Sequence, residues 1–258
     1  MARIVAVANQ KGGVGKTTTS VNLSAALALQ GQSVLLIDLD PQGNATSGVG
    51  IDPRSLQSTV YTCLIKQAKA VDVVHSTDIK GLSVIPSNAD LAGAEIELVG
   101  LDEREHYLRD AIQDIHAQYD VIILDCPPAL GVLTINALAA AGSVLIPVQC
   151  EYYALEGLTR LIGSIERVKD AINPNLSIEG IVLTMFDARN SLARQVSEQV
   201  RGHFGDKVYQ SVIPRNVTLA EAPSYGRPGI LYNMASSGSQ AYLSLAKEFI
   251  AHGEKSAR

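Results

Sequence analysis

Short apolar runs alternate with longer amphipathic segments along the chain of 258 residues. The run Val121-Ile122-Ile123-Leu124 is continuously apolar, which is typical of strands that are buried on both faces of a parallel sheet. The pattern predicts strands at residues 3–8, 33–38, 82–86, 121–125, 143–148, 179–184 and 208–213. It predicts helices at residues 18–30, 102–118, 134–141, 155–171, 191–203 and 239–252.

This alternation predicts an α/β fold with a doubly wound, mostly parallel β-sheet and helices on both faces. The sequence has no internal repeat, linker or low-complexity tract, and 258 residues suit one large domain better than two. We therefore predict a single domain over residues 1–258. Since ligands of such sheets bind beyond the carboxyl ends of the strands, the segments that follow strands are the candidates for chemistry.

A loop rich in glycine and lysine follows the first predicted strand and reads Lys11-Gly12-Gly13-Val14-Gly15-Lys16-Thr17. Glycines let backbone N–H groups approach phosphate oxygens, a lysine binds the β- and γ-phosphates, and a hydroxyl binds Mg²⁺. The loop fits the pattern G-x-x-x-x-G-K-[ST] only loosely, because Gln10 stands where a glycine is expected. Lys11 is surplus to the pattern and cannot easily fold back onto the same phosphates. We therefore predict that it reaches a nucleotide held by another subunit.

Carboxylates end two further predicted strands. Asp38 and Asp40 alternate, so they lie on the same face of an extended segment. Such an acid can orient an attacking water or hold the water shell of a metal, although an Asp before Pro41 is also typical of a capped turn. Asp125 closes an apolar strand in the manner of a Walker B acid near Mg²⁺. The following Cys126-Pro127-Pro128 turns the chain and suggests a second segment that senses the γ-phosphate.

Composition narrows the class of protein. No apolar run is long enough for a membrane span, and the N-terminus lacks the pattern of a secretory signal. Cys63, Cys126 and Cys150 are odd in number and widely spaced, which indicates free thiols in a reducing cytosol. The net charge is −5, but residues 186–227 carry six Lys/Arg against four Asp/Glu. A polyanion would therefore meet the C-terminal half, although charge alone favours ordinary solvated faces.

With these motifs the chain resembles the ParA family of partitioning ATPases, in the Soj branch of the ParA/MinD group of P-loop NTPases with a deviant Walker A motif. The resemblance covers nearly the whole chain. It is carried by residues 9–19 (NQKGGVGKTTT), 38–46 (DLDPQGNAT), 125–128 (DCPP), 147–157 (PVQCEYYALEG) and 213–216 (IPRN). From the residues alone, the last of these segments is only a loop.

The resemblance implies ATP and Mg²⁺ as cofactors and a role for each site residue. The catalytic residues would be Lys11, which crosses to the partner's phosphates, Lys16 on the β- and γ-phosphates, and Asp40, which orients the water. Thr17 would ligate Mg²⁺, with Asp38 and Asp125 around the metal. The nucleotide would be bound by Lys11, Gly12, Gly13, Val14, Gly15, Lys16, Thr17 and Thr18, with Pro214 and Asn216 at the adenine.

The resemblance also implies partners and a location. ATP would drive a sandwich homodimer that binds double-stranded DNA without sequence preference, and a ParB-type protein would stimulate slow hydrolysis and release the DNA. The protein would be cytoplasmic and nucleoid-associated, with no membrane partner. Candidate DNA contacts are Arg189, Arg194, Arg201 and Arg215. Thr218 stands where related Soj-like proteins can carry a basic residue, so the patch would be weaker, or rebuilt from Arg215, Lys207 or Arg227.

Two alternatives share the lysine-bearing loop. A MinD-like ATPase at a membrane surface needs an amphipathic C-terminal anchor, whereas the apolar residues of segment 249–258 stop at Ala251. We expect the helix before this segment to pack on the core instead. A redox protein of the nitrogenase iron-protein type would ligate an iron–sulfur cluster with cysteines, and Cys126 follows Asp125 suggestively. A small buried thiol is the favoured interpretation of each cysteine.

Overall fold

The computed structural model describes the backbone of residues 2–256 and the side chains of residues 2–253. Its centre is one eight-stranded sheet. The strands are β1 (Arg3–Val7), β2 (Val34–Asp38), β3 (His75–Ser76), β4 (Leu82–Ile85), β5 (Val121–Asp125), β6 (Ser143–Gln149), β7 (Ser177–Phe186) and β8 (Val208–Pro214). Their order is β3-β4-β2-β5-β1-β6-β7-β8, with β3 antiparallel to β4 at one edge and the other pairs parallel.

The α-helices of the described residues connect these strands. They are α1 (Lys16–Leu29), α2 (Asn44–Gly48), α3 (Val60–Leu64), α4 (Ala70–Val73), α5 (Leu91–Glu97), α6 (Tyr107–Ile112), α7 (Val132–Ala140), α8 (Ala154–Ala171), α9 (Ser191–Phe204), α10 (Val217–Glu221), α11 (Gly229–Tyr232) and α12 (Ser237–Ser256). Short 3₁₀ turns lie at Pro53–Ser55, Arg104–His106, His116–Gln118, Gly205–Lys207 and Ala222–Tyr225.

Successive residues of the central strands enter two hydrophobic clusters on opposite faces of the sheet. In β5, Ile122 and Leu124 join the cluster that contains α3 to α9, whereas Val121 and Ile123 join the cluster that contains α1 and α12. Because side chains alternate along a strand, a continuously apolar strand fills both clusters at once. This confirms the predicted doubly wound, mostly parallel sheet with helices on both faces.

The predicted strands are all present, but one predicted helix was wrong. Residues 102–118 do not form a continuous helix: the 3₁₀ turn Arg104–His106 precedes α6, and a second 3₁₀ turn, His116–Gln118, follows it. The backbone of Glu103 takes a positive φ of 51°, which no α-helix accommodates. The sequence pattern also missed β3 and the helices α2 to α5, α10 and α11, which are too short to show a period.

The C-terminal helix packs on the core, as predicted. Tyr242, Leu245, Ala246 and Phe249 of α12 are buried in the cluster that α1 shares. The guanidinium of Arg3 lies 3.7 Å from the centroid of the Phe249 ring and donates a hydrogen bond of 2.7 Å to the Phe249 carbonyl. Residues 257 and 258 of the polar tail lie outside the described residues. In the described part of the chain, no helix combines the length and apolarity that a membrane crossing requires.

We expect Phe249→Ala to lower the free energy of unfolding by about 3–5 kcal/mol, because it removes a fully buried aromatic ring from the contact between α12 and the sheet. Urea unfolding followed by circular dichroism measures the change. Ile96→Ala is the control, since Ile96 is 79% exposed and its truncation should change stability by no more than about 0.5 kcal/mol. Equal midpoints for the two variants would show that α12 does not contribute to the core.

Candidate functional site

A cavity of about 410 Å³ opens at the carboxyl ends of the central strands. The loop after β1 forms one wall, and the others are formed by the segments after β2 and β5, the carboxyl ends of β7 and β8, the segment after β8, and Tyr242 of α12. The predicted site residues in its lining are Gly12, Gly13, Gly15, Lys16, Thr17, Thr18, Asp40, Pro214, Arg215 and Asn216. The topology thus brings together segments that are more than 200 residues apart in sequence.

Glycine is required where the loop turns into α1. Gly13 and Gly15 have φ angles of 73° and 84°, in the left-handed region that residues with a Cβ rarely adopt. Gly15 caps α1, which begins at Lys16, so the unpaired N–H groups of the first helical turn face the cavity. Val14 lies behind the loop, where its carbonyl accepts a hydrogen bond of 2.8 Å from the Thr184 hydroxyl. A helix start of this kind binds anionic groups such as phosphates.

Lys16 points inward and is only 7% exposed. Its ammonium donates a hydrogen bond of 3.1 Å to the carbonyl of Lys11. Burial lowers the pKa of Lys16, while the negative charges of Asp125 and Asp40 raise it. The side chain is therefore held inside the loop before any phosphate is bound.

Lys11 behaves differently from Lys16. Its side chain is 53% exposed, forms an ion pair with Glu151, and does not line the cavity. Glu151 precedes Tyr152 and Tyr153, whose rings are both exposed on the same segment before α8. The ammonium of Lys11 is thus engaged by Glu151, which follows β6, and not by the cavity of its own chain.

Asp125 and Thr17 form a donor set that fits a magnesium ion. Asp125 is fully buried, and its Oδ1 accepts a hydrogen bond of 2.7 Å from the Ser20 hydroxyl. Its Oδ2 is buried without a hydrogen-bond partner among the described residues. Burial raises the pKa of Asp125, the charge of Asp38 raises it further, and the hydrogen bond from Ser20 and the nearby hydroxyl of Thr17 oppose the rise. A carboxylate oxygen without a partner beside a threonine hydroxyl matches the oxygen ligands that Mg²⁺ prefers.

Both carboxylate oxygens of Asp38 accept hydrogen bonds from its own chain. Its Oδ1 accepts a hydrogen bond of 3.1 Å from the N–H of Asp40. Its Oδ2 accepts hydrogen bonds of 2.8 Å from both the N–H and the hydroxyl of Thr46. Burial raises the pKa of Asp38, and the hydrogen bonds from Thr46 lower it. Both oxygens thus order the segment after β2, and the role of Asp38 at a metal stays a prediction.

Asp40 lies at the edge of the cavity and caps a turn as well. Its Oδ1 accepts a hydrogen bond of 2.9 Å from the N–H of Gln42, which is the turn that an Asp before Pro41 suggests. Its side chain nevertheless lines the cavity opposite the phosphate loop. Turn capping and a role toward bound phosphates are therefore compatible for this residue.

The arginines predicted for DNA do not form one cluster. Arg189 is 91% exposed, and hydrogen bonds from its guanidinium lower the pKa of Asp187 to about 2. Arg194 donates a hydrogen bond of 3.0 Å to the Ala188 carbonyl, so it lies beside Arg189. Arg201 instead approaches the carbonyl of Gln210 in β8 at 3.5 Å, and Arg215 lines the cavity.

The three cysteines are free and buried, as predicted. Burial raises the pKa of Cys63 and Cys150 to about 11, and it raises the pKa of Cys126 as well. All three pack in the hydrophobic cluster that contains α3 to α9.

Sequence reasoning missed several residues that line or support the cavity. Thr184 and Met185 lie in β7 near its carboxyl end, a position that could have marked them. Tyr242 comes from α12, and its hydroxyl lies 3.0 Å from that of Thr19 in α1. Nothing in the local pattern around Tyr242 distinguishes it from an ordinary core residue of an amphipathic helix.

The sheet is mostly parallel and doubly wound, and its first strand leads through a loop with two lysines into a helix. These features define a P-loop NTPase of the deviant Walker A type. The family model described as an AAA domain matches residues 2–178. The chromosome partitioning protein ParA of Caulobacter vibrioides is 55% identical over 250 residues, which cover 96% of this chain and 94% of that protein. The sporulation initiation inhibitor protein Soj of Bacillus subtilis is 56% identical over 253 residues, 98% of this chain and 100% of that protein. The chain belongs to the ParA/Soj family of chromosome partitioning ATPases.

Solved structures show the same architecture. Cobyrinic acid a,c-diamide synthase from Mycobacterium smegmatis, with a bound ATP analogue and magnesium, gives a TM-score of 0.86 at 38% identity and covers 100% of this chain and 98% of its own. The cell division ATPase MinD of Pyrococcus furiosus gives a TM-score of 0.80 at 26% identity, with coverage of 97% and 99%.

We expect Asp125→Asn to weaken Mg²⁺ binding roughly 10- to 100-fold, because the variant removes the carboxylate charge beside Thr17. The melting temperature is measured with ATP, once with MgCl₂ and once with EDTA. The parental protein should gain stability from Mg²⁺, and the variant should lose most of that gain. Asp120→Asn is the control, since Asp120 precedes the opposite end of β5 and accepts a hydrogen bond from the N–H of Ser33. Equal gains in parent and Asp125→Asn would contradict the assignment.

Proposed function

We propose that this protein is a DNA-partitioning ATPase, in which binding of ATP and Mg²⁺ drives a sandwich homodimer that binds DNA without sequence preference. A ParB-type partner stimulates hydrolysis, and hydrolysis releases the DNA. The observation that carries the proposal is the different placement of the two loop lysines. Lys16 lines the cavity of its own chain, whereas Lys11 does not line it and pairs with Glu151 at the surface.

Each chain binds one nucleotide at its own loop. The ammonium of Lys16 and the backbone N–H groups of the loop residues that line the cavity contact the phosphates, because α1 begins at this loop. Thr17 and Asp125 hold Mg²⁺, which supplies positive charge to the phosphate oxygens when it is bound. Pro214 and Asn216 border the adenine. The Asn216 side chain is fixed for this role, since its oxygen accepts a hydrogen bond of 3.2 Å from Leu219 N–H and its amide donates one of 3.0 Å to Ser237.

Hydrolysis depends on a water that Asp40 orients toward the γ-phosphate. Phosphoryl transfer needs positioning and charge stabilisation more than covalent chemistry, so one carboxylate at the cavity edge is sufficient for this step. The second catalytic charge comes from Lys11 of the partner subunit. Its ion pair with Glu151 is exposed and contributes roughly 1 kcal/mol or less, so Lys11 can exchange Glu151 for a phosphate at little cost.

The dimer binds DNA through paired basic surfaces. Arg189 and Arg194 lie together at the start of α9, and dimerisation places two copies of this small patch in one particle. Each phosphate contact adds a term that depends on salt and not on sequence, so two weak patches give useful affinity only together. ATP binding would thereby control DNA binding.

A MinD-like ATPase at a membrane surface is the second candidate. The fold shared with the Pyrococcus furiosus MinD structure favours it, whereas the burial of the apolar face of α12 in the core argues against an anchor there. Co-sedimentation with anionic liposomes in the presence of ATP tests it. Retention on liposomes but not on DNA would replace the partitioning proposal.

We expect Asp40→Ala to bind ATP and dimerise but to lose hydrolysis, because the variant lacks the group that orients water. The ATP-bound dimer should then remain on DNA. Size-exclusion chromatography with and without ATP, followed by retention on non-specific DNA, measures both properties. Hydrolysis by Asp40→Ala at the parental rate would overturn the assignment of Asp40.

Lys16→Ala should lose tight nucleotide binding and remain a monomer in the same experiment, since the phosphates lose their main counter-charge.

Lys11→Ala distinguishes the proposed role of Lys11 from that of Lys16 in the same experiment. The variant should bind ATP but remain a monomer, because Lys11 acts only across the dimer. ATP-dependent dimers of Lys11→Ala would contradict the crossing role of this residue.

We expect the double variant Arg189→Ala/Arg194→Ala to bind DNA more weakly and with a smaller dependence on salt. Each lost phosphate contact reduces the magnitude of the negative slope of log K against log salt concentration by about 0.9. DNA binding of the ATP-bound Asp40→Ala background across a salt series measures the slope. Arg160→Ala is the control, because Arg160 is an exposed arginine on α8 that pairs with Glu156. Equal slopes for the double variant and the control would place the DNA surface elsewhere.

A further inference from the structure

A buried network of hydrogen bonds fixes the backbone on both sides of the Asp40 side chain. On one side, the N–H of Asp40 donates a hydrogen bond of 3.1 Å to Asp38 Oδ1. On the other side, the Asp40 carbonyl accepts a hydrogen bond of 2.8 Å from the Ser87 hydroxyl. The Ser87 N–H donates one of 2.9 Å to the Thr46 hydroxyl, which itself donates to Asp38 Oδ2. Asp38, Thr46 and Ser87 are fully buried, so water does not compete for these bonds.

The network connects three segments that meet only through the fold. Asp38 ends β2, Thr46 lies in α2, and Ser87 follows β4, the strand beside β2. Space around the turn is tight: a Cβ at Gly43 would lie 3.0 Å from Pro53 Cγ and 3.1 Å from the Ser87 carbonyl oxygen. The Asp40 carbonyl also accepts a hydrogen bond of 2.9 Å from the N–H of Gly43. The turn is therefore attached to the rigid sheet at several points.

We propose that Thr46 and Ser87 are positioning residues for ATP hydrolysis: their hydroxyls fix the backbone of Asp40 so that its carboxylate keeps the place in the cavity from which it orients water. This inference rests on the proposed role of Asp40. Neither hydroxyl lines the cavity, so neither contacts the nucleotide. Their loss should therefore affect turnover and leave nucleotide binding intact.

The size of the effect follows from the geometry that positioning requires. A displacement of about 1 Å in a group that orients a reactant costs up to about 100-fold in rate. Ser87→Ala removes the hydrogen bond to the Asp40 carbonyl, and we expect kcat for ATP to fall between about 10- and 100-fold, with KM changed by less than about two-fold. Thr46→Val keeps the shape of threonine but removes both hydroxyl bonds, and it should behave in the same way. Thr46→Ser keeps the hydroxyl and should restore kcat.

The experiment compares steady-state ATP hydrolysis and the Kd of a fluorescent ATP analogue for the parental protein and these variants. Ser143→Ala is the matched control: Ser143 lies at the start of β6, away from the cavity, and its hydroxyl donates a partly buried hydrogen bond of 2.7 Å to Glu179 in β7. This variant loses one partly buried hydrogen bond, as Ser87→Ala does, but it should keep the parental kcat. Thermal unfolding with ATP shows whether each variant is folded. If Thr46→Val does not fold, the kcat of Ser87→Ala alone decides the outcome.

Parental kcat in Ser87→Ala would overturn the inference, as would a loss of analogue binding that parallels the loss of kcat. A decrease of the same size in Ser143→Ala would also overturn it, because the effect would then reflect general stability. The proposed function fails separately: its failure appears as a parental protein that does not hydrolyse ATP, or as full activity in Asp40→Ala.

Discussion

The parallel register of β2 and β5 sets Asp38 beside Asp125, and the rest of the site depends on these two buried carboxylates. Removal from water favours the neutral form of a carboxyl group, and a neighbouring negative charge adds to the effect. The pKa of each aspartate is accordingly raised. The protein compensates the cost of burying these charges with a hydrogen bond from Thr46 to Asp38 and one from Ser20 to Asp125. The ammonium of Lys16 also lies near Asp125.

The two buried aspartates differ in how completely their oxygens are hydrogen-bonded. Both oxygens of Asp38 accept hydrogen bonds from the turn after β2, so this carboxylate stabilises the turn. Asp125 keeps one buried oxygen without a partner among the described residues. A buried acceptor without a donor is costly, and a divalent cation with its water shell is a natural way to satisfy it. The proposed metal site therefore follows from the electrostatics of the buried carboxylate itself.

The sequence predicts the strands and the acid that ends each one, because buried strands and their ends leave a local pattern. It does not distinguish Asp38 from Asp125, since the distinction depends on the hydroxyl of Thr46, eight residues after Asp38, and on Ser20 in α1. The helix predicted over residues 102–118 is reduced to α6, because the left-handed backbone of Glu103 excludes a helical start there and 3₁₀ turns lie on both sides of α6. The position of Ser87 against Asp40 follows from strand order, which no local pattern contains.

Burial also separates the parts of the site that stay fixed from the parts that can move. Lys16, Asp38 and Asp125 are buried, so any rearrangement would leave a charge or a hydrogen-bonding group without a partner. Lys11 and Glu151 are half exposed, and water can replace either partner. Within six residues of one loop, the chain thus passes from a buried lysine, Lys16, whose contacts are fixed, to a half-exposed lysine, Lys11, whose ion pair can exchange.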